Sequence, residues 1–75
     1  MNKERRKSIE RIVDKLNEIQ ADLTCVRNDE EEAYDNLPWG IQSSERGDAM
    51  HEAMDAMDDA DGSLQEAIDY LMDII

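Results

Sequence analysis

Seventy-five residues make one small domain, and a chain this short buries only about 60 % of the surface its unfolded form exposes, so it is marginal alone. The single cysteine, Cys25, excludes an intramolecular disulfide. No Cys/His cluster offers structural zinc, and a partner chain is the remaining route to stability. Residues 1–27 carry seven basic and five acidic groups and residues 28–75 carry one and fifteen, giving the net charge of −12. That balance disfavours direct nucleic-acid binding and favours a basic protein surface.

Leu, Ile, Met, Ala and charged residues dominate and Phe is absent, a composition that favours helix over strand. The opening Met-Asn-Lys-Glu-Arg-Arg-Lys and the lack of a long apolar run predict neither a signal peptide nor a membrane span. With the lone cysteine, this places the protein in the cytoplasm, the cytosol of a host cell.

The first helix is expected at about residues 3–35. Ile9, Ile12, Leu16, Ile19, Leu23 and Val26 alternate spacings of three and four, Ala33 and Leu37 continue the row, and Val13 widens it. Asn36 and the Leu37-Pro38 pair end it, because proline drives its predecessor out of the α region. Residues 36–43 are expected to be a loop, with Ser43 or Ser44 as a cap for the next helix.

The second helix is expected at about 44–74. Met50, Met54, Met57, Leu64, Ile68, Leu71 and Ile75 keep a heptad phase with one polar interruption at Asp61. Ala53, Ala60, Ala67 and Ile74 recur every seven residues beside it, small enough for a helix to approach closely. Gly62 and Ser63 predict a weakening or bend. An eight-residue link suits antiparallel neighbours. The fold class is therefore all-α: a two-helix antiparallel hairpin completed as a homodimeric four-helix bundle.

Several motifs have plain readings. Asp48, Glu52, Asp55, Asp59, Glu66, Asp69 and Asp73 line one face of the second helix; they read as a solvated face, or as an imitation of DNA phosphates. Asp58–Ser63 fails as a calcium loop, because placing Gly62 sixth puts Met57 first and Ile68 twelfth. The Met50, Met54, Met57 row reads as core rather than an adaptable binding face. His51 lacks a second metal ligand or a nucleophile, and Cys25 lacks an activating neighbour. No catalytic residues, metal site or cofactor are expected.

Residues 34–47 differ. Tyr34, Asn36, Trp39, Gln42, Ser43, Ser44 and Arg46 combine aromatic surface, amides, hydroxyls and a guanidinium beside a helix N-terminus, a set suited to a planar anion. Trp39 is the only tryptophan and Arg46 the only basic residue after Arg27. The local reading is that Tyr34 and Trp39 plug the hairpin end while Arg46 pairs with Glu45 or Glu32.

The stretch Asp29–Ala53, DEEEAYDNLPWGIQSSERGDAMHEA, resembles a family of small uncharacterised proteins of phages and prophages in Gram-positive bacteria, which read close to EEQEAYDNLP, then a Q, then SERGEAMEEAI. Tyr34–Pro38 and Ser44–Gly47 carry the likeness, and Trp39-Gly40 stands where the family has a polar pair. The resemblance implies a phage setting, in which small accessory proteins often block host defence. Two functions are consistent with it. One is capture of a small anionic ligand, such as a cyclic nucleotide immune signal, at a dimer cleft. The alternative is an acidic, DNA-mimic-like inhibitor of a basic host nucleic-acid-binding protein. The chemical specificity of Trp39 and Arg46 favours the first.

Overall fold

The computed structural model describes residues 1–75 and consists of three helices: α1 (Lys3–Asp35), α2 (Trp39–Gln42) and α3 (Glu45–Met72). Asn2 opens α1 from an extended conformation, its Oδ1 accepting the Arg5 N–H at 2.8 Å, so one of the orphan amides of the first turn is satisfied. At the other end the Asn36 N–H reaches Glu32 O at 3.1 Å and the Leu37 N–H reaches Tyr34 O at 3.0 Å. No basic side chain offsets the negative end of the helix there.

The expected loop contains a helical turn. Pro38 supplies an acceptor and needs no donor, and its carbonyl takes the Ile41 and Gln42 N–H groups at 2.8 and 3.1 Å, which closes α2. Ser44 occupies the N-cap position of α3 in an extended conformation, but its hydroxyl donates back to Ile41 O instead of accepting an amide of α3. The anticipated weakening at Gly62 does not interrupt the helix, which runs unbroken from Glu45 to Met72.

Antiparallel packing of α1 on α3 makes an extended hairpin, 58 × 15 × 11 Å between Cα extremes. Its radius of gyration is 17.2 Å, against about 11 Å for a compact domain of this length. No helix is long and apolar enough to cross a membrane.

The buried and half-buried residues of the two long helices define the seam. On α3 they are Gly47, Met50, Met54, Met57, Asp61, Leu64, Ile68 and Leu71, the row expected from the spacing, with Asp61 inside it. On α1 they are Ile9, Val13, Leu16, Gln20, Leu23, Arg27, Glu30 and Tyr34. This row differs from the most apolar one. Ile12, Ile19 and Val26 remain 47, 49 and 57 % exposed.

Directional contacts cross the seam along the row that is turned inward. Gln20 Nε2 donates to Gln65 Oε1 at 3.1 Å and to Asp61 Oδ1 at 3.3 Å, Arg27 Nε donates to Asp58 Oδ1 at 3.1 Å, and the Tyr34 ring meets His51 edge-on with centroids 4.3 Å apart. Each step of seven along α1 is matched by a step of seven back along α3. The core proper is small: Val13, Met54 and Ile68 are the apolar residues fully withdrawn from water.

The two glycines of α3 should respond in opposite directions. A Cβ on Gly47 would lie 2.0 Å from Gln42 O, while one on Gly62 would meet nothing within 4 Å. Gly47→Ala should cost about 1–3 kcal/mol through backbone displacement. Gly62→Ala should add up to about 1 kcal/mol by helix propensity. Urea melts followed by circular dichroism check the signs; a destabilising Gly62→Ala would show that the helix needs its freedom there.

Candidate binding site at the loop end

The residues singled out between Tyr34 and Arg46 divide into two groups. Tyr34, Gln42, Ser43 and Ser44 build the turn. Gln42 Nε2 donates to Tyr34 O at 3.1 Å, Ser43 Oγ donates to Trp39 O at 3.3 Å, and Ser44 Oγ donates to Ile41 O. Asn36 caps α1 through its backbone N–H. The Gln42 backbone rests on Gly47, buried in the first turn of α3, and only a residue without a side chain allows that approach.

Trp39 and Arg46 form the second group and face water. Trp39 is 82 % exposed, and Ile41 beside it is 37 % exposed. Trp39 does not plug the hairpin end; that position belongs to Tyr34, edge-on to His51. Arg46 is exposed and forms no ion pair with Glu45, Glu32 or any other carboxylate. The amides of Glu45, Arg46 and Gly47 have no backbone acceptor, as expected for the first turn of a helix whose cap hydroxyl is turned away.

The electrostatic setting is negative. Asp29, Glu30, Glu31, Glu32, Asp35, Glu45, Asp48, Glu52 and Asp55 surround the loop end, and Arg46 is the sole base between them. The row Asp48, Glu52, Asp55, Asp59, Glu66, Asp69 and Asp73 continues along the side of α3 turned away from α1, all of it exposed. No group of three His, Cys, Asp or Glu side chains is arranged to hold a metal ion.

Two residues acquire roles that sequence reasoning missed. His51 is the edge-to-face partner of Tyr34. Arg27 bridges Asp58 across the seam and Glu31 on its own helix, and the hydrogen bond to Asp58, with the nearby carboxylate charges, raises the guanidinium above its ordinary pKa. The available signal was positional: Gln20, Arg27 and Tyr34 are spaced by seven on α1. A shallow, open cleft lies here, lined by Leu23, Thr24, Arg27, Met57, Asp58 and Asp61. Its one cation is already paired, so it offers little to an anion.

The chain matches no protein-family model, no curated protein and no solved structure.

Trp39 makes the loop end directly observable. Its fluorescence should be red-shifted and water-like in the native protein, and acrylamide, a neutral quencher indifferent to the −12 charge, should quench it nearly as well before unfolding as after. A blue-shifted native spectrum with strong protection would mean that the indole is covered in solution.

Proposed function

We propose that the chain is a non-catalytic, phage-type accessory protein that binds a basic surface on a host protein, with Trp39 as the apolar anchor of the contact and the surrounding carboxylates as its charged rim. The observation that carries this reading is the 82 % exposure of the only tryptophan, on a short ordered turn amid acidic side chains. A large aromatic held in water is costly unless something covers it. Tryptophan and arginine are also the residues on which interface energy most often concentrates. The phage resemblance of Asp29–Ala53 supports counter-defence as the setting, and the carboxylate row along α3 supports a target whose surface ordinarily meets nucleic acid.

The alternative, sequestration of a small anion such as a cyclic nucleotide, draws support from the unpaired Arg46 guanidinium and the three free amides at the start of α3. It ranks second because the cleft of the single chain lies at the seam beside Arg27 and Asp58 and not at the loop end, whereas sites for small molecules enclose most of the ligand surface.

The protein-inhibitor reading predicts displacement of duplex DNA from the basic host target, with affinity falling steeply as salt rises. Trp39→Ala should weaken that binding by at least about 2 kcal/mol while leaving the helices intact. Asp55→Lys with Asp59→Lys should abolish it. Calorimetric titration of cyclic dinucleotides into wild type and Arg46→Ala decides for the alternative if wild type binds and the variant does not. Target binding that Trp39→Ala leaves unchanged would remove the anchor from the proposal.

A further inference from the structure

The hairpin leaves one long face without a partner. In heptad notation the seam residues occupy positions a and d, and Ile12, Ile19, Val26 and Ala33 of α1 fall at position g, as do Ala53, Ala60 and Ala67 of α3 and, just past its end, Ile74. The helices of an antiparallel pair are related by a two-fold axis perpendicular to both, which carries g onto g. Both rows therefore line the same edge of the hairpin. The register of the cross-seam contacts places Ile12 near Ile74, Ile19 near Ala67, Val26 near Ala60 and Ala33 near Ala53. All eight are exposed. The opposite edge, position e, carries Thr24, Glu31, His51, Asp58 and Gln65 and is polar except for Met72 at its end.

The rod as a whole exposes more surface than a compact chain of its mass. The accessible surface is 5629 Å², whereas a compact monomer of 8.6 kDa is expected to expose about 4,700 Å². The excess, about 900 Å², is close to the roughly 800 Å² that each partner contributes to a standard stable interface. A two-fold contact pairs one face with itself, and a row of exposed apolar residues from both helices meets that requirement chemically.

Charge selects the orientation. Lys3, Arg5, Arg6, Lys7, Arg11 and Lys15 lie at the open end of the hairpin, and Asp29, Glu30, Glu31, Glu32 and Asp35 lie at the loop end. A two-fold axis along the hairpin would set two acidic loop ends side by side, within about one Debye length of each other. A two-fold axis across it lays α1 on the partner's α1, running the other way, and brings each basic end over an acidic one. Lys15, at the border of the apolar row, then lies over the partner's acidic half of α1.

We infer that the face formed by Ile12, Ile19, Val26, Ala60, Ala67 and Ile74 is covered by a second copy of this chain, packed antiparallel to give a four-helix bundle. Each end of the resulting rod carries one Trp39 turn, with the partner's Lys3, Arg5 and Arg6 arriving nearby. The dimer goes beyond the loop-end reading and does not depend on it, since Trp39 lies outside the paired face.

Light scattering at micromolar concentration should give twice the 8.6 kDa chain mass. Ile19→Glu with Val26→Glu should return it to the mass of one chain. Orientation is read on the folded wild-type face, with Glu4→Cys in a Cys25→Ser background carrying a spin label. The antiparallel bundle puts the two labels about 45–55 Å apart at 1.5 Å per residue, and the parallel one puts them within about 30 Å. A monomeric wild type, a dimer untouched by the two glutamates, or labels at the short distance would each overturn the inference. The label distance decides even if the double glutamate chain fails to fold. Trp39→Ala should leave both mass and distance unchanged, so failure here is distinguishable from failure of the loop-end proposal.

Discussion

Two hydrogen-bonded pairs and one aromatic contact, seven residues apart on each helix, all fit one register of α1 against α3: Gln20 with Gln65, Arg27 with Asp58, and Tyr34 with His51. Methionine, leucine and isoleucine alone would tolerate a slide of one heptad, because their contacts are undirected. The two donor–acceptor pairs, at 3.1 Å each, do not tolerate it. These contacts lie on the edge of the seam where water remains within reach. Their value is therefore chiefly in specifying register rather than in net stability.

The same arrangement determines what is left over. With Gln20, Arg27 and Glu30 turned into the seam, the isoleucine row of α1 cannot also face α3, and it comes to lie on the edge where α3 presents its alanines. The hairpin thus gives up apolar burial within one chain. A core of Val13, Met54 and Ile68 is slight for a rod 58 Å long. The uncovered apolar row lies along one edge of the hairpin, while the other edge and the back of α3 are mostly polar.

The loop end obeys a different constraint, close backbone approach. Gly47 lets the Gln42 carbonyl sit against α3, Pro38 starts a turn that needs no donor from it, and the serine hydroxyls return to nearby carbonyls. Together they hold a short ordered turn that carries Trp39 into water. Ordering matters for recognition, since an aromatic already fixed in place loses less freedom when a partner covers it.

The sequence by itself determined the helical class, the ends of α1 and the seam of α3. Each depends on local or periodic information: the three-four spacing, the proline after Leu37, and methionines and leucines with no competing apolar row of equal size. It also isolated Trp39 and Arg46 by their rarity. It did not determine which stripe of α1 faces inward, because Ile12, Ile19 and Val26 make the more apolar row and the preference for Gln20, Arg27 and Tyr34 exists only once α3 supplies Gln65, Asp58 and His51. Nor did it show that Trp39 stands free while Tyr34 fills the hairpin end, or that Gly47 is needed at the turn. Those outcomes depend on atoms brought together from distant parts of the chain. Only the tertiary structure decides them, because a directional hydrogen bond or a backbone contact has no periodic trace in the sequence of either partner.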